Sequence, residues 1–182
     1  EFFENLDMEK TNNNSNFSVV LVGPEIPGNT GSIGRTCVAL GADLILIGPL
    51  GFELTEKQVR RAGLDYWKYV NLKQFADFSE FLKEVNPSPE KLFFFTKFSQ
   101  QLYYDAPFSK GSFLIFGSET KGLEENLILQ YQQHSYCLPL YSEHIRSLNL
   151  SNAVTAVSYE FVRHMGPSNY LPLMTYQRGA KS

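Results

Sequence analysis

The chain has 182 residues, of which 43% are hydrophobic, 14% aromatic and 19% charged, and its formal net charge is −3. That length and composition fit one globular domain with a sizeable core, and no apolar run approaches the roughly 18 residues that suggest a membrane helix. The acidic balance, with a pI of about 5.6, argues against a surface basic throughout but leaves room for a local basic patch, because phosphate contacts act locally.

The first residues, EFFENLDMEK, lack the basic start and apolar stretch of a signal peptide, and Met8 is a candidate natural start. TNNNSN cannot bury itself, so residues 1–16 are expected to be a disordered tail. FSVVLVG reads as a buried strand ending in Gly-Pro. A helix should then be capped by Asn29 or Thr30 and run to about Leu40, with Gly41 as its stop. Asp43 to Ile47 is a second strand, and Thr55 opens a short helix closing at Gly63. Helical spacing covers Phe75 to Val85, broken by the stretch from Asn86 to Pro89. KLFFFT and SFLIFG are two more buried strands, joined by a loop with a short extended piece. GSETKG is a turn, Leu123 to Gln133 a helix, SYCLPL a strand and Leu148 to His164 the last helix. Residues 17–166 thus form the domain, and 167–182 an irregular tail.

Strands alternating with helices predict an α/β fold with a largely parallel sheet and flanking helices. Ligand loops in such a sheet lie at the carboxyl ends of the strands, where PEIPGNTG, GPLGFEL, TKFSQ, GSETKG and PLYSEHIRSLNLSNA fall. Gly28, Gly31 and Gly34 follow a strand, but GxxGxxG is not the dinucleotide-binding GxGxxG. Gly117 to Gly122 has the P-loop GxxxxG, yet Leu123 and Glu124 stand where Lys and Ser or Thr are needed. His134, His144 and His164 have no metal-ligand spacing, so no metal is expected. Cys37 and Cys137 form no CxxC and sit in apolar contexts. Buried free thiols and a reducing cytoplasm follow as expectations.

Three segments in order carry a family resemblance: PEIPGNTGSIGRTC, FGSETKGL and LPLYSEHIRSLNLSNAVTAVSYE, with GPLGFEL and RRAGLDYW between the first two. From about Val19 to His164 the chain resembles SPOUT-class methyltransferases, and most the bacterial tRNA (cytidine/uridine-34) 2'-O-methyltransferases of the TrmL type. The resemblance implies a C-terminal deep trefoil knot, a departure from ordinary topology. It also implies S-adenosyl-L-methionine held by the knot loops, S-adenosyl-L-homocysteine as product, tRNA as substrate, and a homodimer whose two subunits complete each pocket.

On this resemblance Phe95 or Thr96, Gly117, Leu138 and Ser147 line the cofactor site, and the backbones of Leu138 and Leu148 meet the adenine edge. Arg35 is the leading catalytic residue. A guanidinium is too weak an acid to serve as a base, so stabilising the developing alkoxide or pinning a phosphate suits it better. Two roles are open to Asn29, orienting Arg35 or capping a helix, and two to Glu119, accepting from a backbone or orienting an arginine. Asn149 and Asn152 share a helix face, one as cap and the other at the site. Arg146 precedes Ser147 as in the family, although Ile145 replaces a family serine and the loop is one residue longer. Lys57, Arg60, Arg61, Lys68 and Lys73, interleaved with Tyr66, Trp67 and Tyr69, suit RNA, as does Arg146; a solvated helix face followed by core aromatics is the other reading of that span. Two alternatives to the wobble-ribose reading stay open: 2'-O-methylation elsewhere in tRNA or rRNA, and a non-catalytic RNA-binding protein of this fold.

Overall fold

The apolar runs become the strands of one sheet whose two faces are both covered. A computed structural model describes residues 15–53 and 65–166. In chain order the elements are β1 (Phe17–Val22), α1 (Pro27–Leu40), β2 (Asp43–Ile47), β3 (Leu72–Phe75), α2 (Phe78–Val85), β4 (Leu92–Phe95), β5 (Ser112–Phe116), α3 (Glu125–Gln130), β6 (Ser135–Tyr136) and α4 (Leu150–Met165). The expected helix from Thr55 to Gly63 and most of both expected tails lie outside the described residues.

The sheet order is β3-β2-β1-β5-β4-β6, and every pairing is parallel. Alternation along the strands divides the core between the two faces. Val19, Leu21, Leu44, Leu46, Phe93, Phe95 and Leu114 pack with Ile33 and Cys37 of α1 and Val154, Val157 and Phe161 of α4. Val20, Ile45, Ile47, Phe94 and Ile115 pack with Phe81 of α2 on the opposite face.

Several boundaries differ from the expectation. α1 starts at Pro27, so Asn29 and Thr30 lie inside the helix rather than at its cap. Proline fits the first turn because the amide it lacks would have no helical partner there. Gly41 does end α1, in the left-handed conformation at φ 63°. Phe75 belongs to β3, not to the following helix. Asp77 caps α2 by accepting from the Glu80 amide at 2.8 Å, while the Glu80 carboxylate accepts from the Ala76 amide.

The helix expected from Leu123 keeps only Glu125–Gln130 as α-helix, then tightens into a 3₁₀ turn at Gln132–His134. β6 is two residues long, because Cys137 turns to Leu102 instead. The Cys137 amide donates to the Gln101 carbonyl at 2.8 Å, and its carbonyl accepts from the Tyr103 amide at 3.0 Å. This pairing is the short extended piece expected in that loop. α4 starts at Leu150, so Leu148 remains in the preceding loop. Cys37 is buried and free as expected, but Cys137 is partly exposed.

Candidate active site

β1 and β5 are neighbours in the sheet, with β2 and β3 beyond β1 on one side and β4 and β6 beyond β5 on the other. Ligands of open parallel sheets bind beyond the strand ends at such a switch point. Here the switch point is bridged by the chain itself, and a cavity of about 410 Å³ opens beside it, past the ends of β4, β5 and β6. That volume is in the range of small-molecule sites. Three loops form it, and it brings together all six residues expected at the cofactor: Phe95, Thr96, Gly117, Leu138, Ser147 and Leu148. Asn29, Glu119 and Asn149 also line it.

The bridge is a continuous set of hydrogen bonds. One Glu119 oxygen accepts from the Glu25 amide at 2.7 Å; the other accepts from the Ile26 amide at 3.0 Å and the Asn29 side-chain amide at 3.1 Å. Ile26, the N-cap of α1, offers no side-chain cap, so a carboxylate 93 residues away takes that role. A negative charge is favoured there by the helix dipole. Burial alone would raise the Glu119 pKa, but donors from Glu25, Asn29, its own backbone and Ile26 outweigh it and hold the carboxyl below its ordinary value. The clasp is reciprocal, since Thr120 Oγ1 donates to both Glu25 carboxylate oxygens at 2.7 and 2.9 Å.

Asn29 passes the connection onward. Its Oδ1 accepts from Asn149 Nδ2 at 3.0 Å. Asn149 Oδ1 accepts from the amides of Ser151 and Asn152 at 2.9 and 3.3 Å, which caps α4. Asn149 therefore does both jobs that the sequence divided between two asparagines, while Asn152 is exposed. Both ends of the Asn29 side chain are engaged, on Glu119 and Asn149, and among the described residues it makes no hydrogen bond to Arg35. Of the two roles open to Glu119, accepting from backbone is the one it fills.

The glycines explain themselves by packing. A Cβ on Gly117 would lie 2.0 Å from the Gly122 carbonyl carbon and 2.2 Å from the Leu123 amide nitrogen. Its need for glycine comes from the turn's own backbone. A Cβ on Gly34 would lie 2.5 Å from the Trp67 ring, and the Tyr66 hydroxyl donates to the Gly31 carbonyl at 2.8 Å. Gly34 is thus required by the neighbouring segment, whereas a Cβ on Gly28 would meet nothing within 4 Å, and the α1 N-terminus is taken up by Glu119.

Arg35 is exposed, with its guanidinium 5.5 Å from the Tyr66 ring centroid, and it does not line the cavity of its own chain. Arg146 is exposed beside the lining residue Ser147. Among the described residues, the basic and aromatic span divides between surface and core. Lys73 pairs with Asp43 at 3.4 Å, Trp67 packs against the core, and Lys68 lies over the exposed Tyr69 ring at 5.0 Å. Lys57, Arg60 and Arg61 lie outside the described residues. The sequence reading missed Glu25, Thr120, Lys97, Phe98 and Lys121; all lie in loop segments it had placed at strand ends without assigning these residues. Among the described residues no group of three His, Cys, Asp or Glu could hold a metal.

Residues 16–159 match the model of the SpoU rRNA Methylase family. A "tRNA (cytidine(34)-2'-O)-methyltransferase" of Burkholderia cenocepacia is 42% identical over 151 residues, 82% of this chain and 96% of that protein. A solved structure described as "Structural insights into the 2-OH methylation of C/U34 on tRNA" is 39% identical, with a TM-score of 0.75 over 82% of this chain and 90% of that one. AviRb, a SpoU methyltransferase from Streptomyces viridochromogenes solved in complex with AdoMet, is 28% identical, with a TM-score of 0.68 over 82% of this chain and 60% of that one. The three motifs that line and brace the cavity fall within the matched span but for the final Glu160, and the chain belongs to the SpoU methylase family.

Proposed function

We propose that this protein methylates the ribose 2'-hydroxyl of a cytidine or uridine at position 34 of tRNA, using S-adenosyl-L-methionine. One observation carries the reading: three loops and their hydrogen-bonded brace build a single cavity from the residues of the three family motifs.

The cavity's chemistry fits the cofactor. Leu138, Leu148 and Phe116 give apolar walls for a flat adenine. The backbone amides and carbonyls of Leu138 and Leu148 make no hydrogen bond within the described residues, so they are available to its polar edge. Phe95, Thr96, Gly117, Leu138, Ser147 and Leu148 would hold it. When bound, it supplies a methyl group activated by a sulfonium, chemistry that needs no metal, and leaves as S-adenosyl-L-homocysteine.

The chain's own residues position the ribose and manage charge. Arg35 stabilises the oxygen as it loses its proton, or pins the adjacent phosphate. Because Arg35 is exposed and stands apart from its own chain's cavity, it serves the cavity of a second copy in a homodimer. Asn29, Glu119 and Asn149 hold the loops in place. Arg146 touches the RNA, as do Lys57, Arg60 and Arg61. Residues 17–166 act as one domain, and a trefoil knot accounts for three separate loops converging on one cavity. No helix among the described residues is long and apolar enough to cross a membrane; a cytoplasmic location suits a tRNA substrate.

The test is incubation with tritiated S-adenosyl-L-methionine and tRNA, both unmodified transcripts and tRNA from a deletion strain. Label on the ribose of nucleotide 34 is expected. Label elsewhere overturns the position, and no label on either tRNA overturns the activity.

A further inference from the structure

The cavity's mouth carries residues that the methyl transfer does not use. Each loop brings one cation: Lys97 after β4, Lys121 in the turn after β5, and Arg146 beside the lining residue Ser147. All three are exposed, and none forms an ion pair with an acid among the described residues. Two loops also bring a bare ring. Phe98 is 71% exposed and Tyr141, next to the lining residue Leu140, is 99% exposed. Lys97 Nζ lies 5.2 Å from the Phe98 ring centroid. Glu143 is the one acid between residues 138 and 149, and Glu119 is engaged with α1.

Rings so exposed contribute little to the fold, since they bury little area. Cations alternating with bare rings suit unstacked nucleotides, where phosphates need charge and bases need a flat partner. We propose that Phe98 and Tyr141 stack on bases flanking the methylated nucleotide, while Lys97, Lys121 and Arg146 hold their phosphates. This rests on the RNA methyl-transfer reading above, but it concerns grip on the RNA rather than chemistry.

The test compares the full-length protein with F98A/Y141A and K97A/K121A variants. Equilibrium affinity for an anticodon stem-loop RNA is measured across a salt series, with cofactor affinity and sedimentation measured in parallel. The aromatic variant should bind RNA at least about fivefold more weakly, and the lysine variant should lose about 0.7 of salt slope per lysine. Cofactor affinity and self-association should not change. Unchanged RNA affinity and slope overturn the proposal. So does an equal loss of cofactor binding, which makes the rim a cofactor wall, or a loss of self-association, which makes it a subunit interface. Wild-type protein that binds no RNA overturns it as well. Wild-type protein that binds RNA without labelling nucleotide 34 sinks the activity reading alone, because the rim is read by binding.

Discussion

Asn149 donates its side-chain amide to Asn29 Oδ1 at 3.0 Å, joining the first turn of α1 to the N-terminus of α4 across 120 residues of sequence. The same side chain caps α4 through its oxygen. These roles can be separated. Asn149→Ala removes both and should cost about 1–2 kcal/mol, a fall of roughly 2–8 °C in Tm for a chain of this size. Asn149→Ser restores the cap but is too short to reach Asn29. It should recover most of the melting temperature and little of the cofactor affinity. A serine variant that recovers both would show that the link between the helices has no part in shaping the cavity.

Glu119 sets an acid limit on the same assembly. Burial opposes its charge, but the surrounding donors prevail, and its folded pKa lies below the unfolded value of about 4.3. The stabilisation is therefore complete above the unfolded value and is lost as pH falls through the folded one. Cofactor affinity should be level from neutrality to about pH 5 and fall below it. Glu119→Gln presents a donor to one of the three groups that donate to this carboxylate. It should weaken cofactor binding at neutral pH by roughly 1–3 kcal/mol and flatten the acid limb. Calorimetry of both proteins from pH 4 to 8 checks this, and an unchanged acid limb in the variant would assign it to another group.

Much of this was legible because four strands are short apolar runs between turn residues. Val19 to Leu21 and Phe93 to Phe95 could hardly be anything but buried. β3 was not legible, because LKQF is an edge strand only partly buried, with polar residues between its two apolar ends. β6 was legible as SYCLPL but not its length, because only Ser135 and Tyr136 pair with β4 before Cys137 turns to Leu102. The motifs gave the cavity residues, yet the pairing of Glu25 with Thr120 joins positions 95 residues apart and leaves no local pattern. The α1 cap failed for the same reason. Asn29 is a good capping residue, but Pro27 fixes the helix start and Glu119 supplies the cap from another strand's loop.

Gly117 and Gly28 make a matched pair. A methyl on Gly117 meets backbone at 2.0 Å, whereas one on Gly28 meets nothing within 4 Å. Backbone cannot step aside as a flexible side chain can, so Gly117→Ala must open the turn. Cofactor affinity should fall at least about tenfold for Gly117→Ala. Gly28→Ala should melt within about 0.5 kcal/mol of wild type or slightly higher, alanine being the better helix former. Similar melting and binding by both variants would mean that the turn relaxes freely.

The cysteines should differ in reactivity. Burial first, and then the nearby Asp43 charge, push the Cys37 thiol up to about 12, so almost no thiolate is present at neutral pH. Cys137 is partly exposed. A maleimide should label Cys137 alone in the native protein and both thiols after denaturation, read by intact-mass spectrometry. Native labelling at Cys37 would show that α1 lifts from the sheet on the timescale of the reaction.

The placement of Arg35 leads to the most decisive test of the assembly. Being exposed and, among the described residues, held only over the Tyr66 ring, it can be removed at less than about 1 kcal/mol of stability. Arg35→Ala should keep its melting temperature and cofactor affinity while methyl transfer falls at least about a hundredfold. Gly117→Ala disables the other half of the site. If each cavity is completed by the second copy's arginine, mixing the two inactive variants under exchange conditions restores one good site in each mixed dimer. Random exchange makes half of the dimers mixed, so about a quarter of wild-type activity should return. If Arg35 serves its own chain's cavity, no combination of the two variants contains an intact site, and the mixture stays inactive. Sedimentation of the same mixture separates that result from a failure to exchange subunits, because dimers carrying a size tag on one variant show whether mixed species formed.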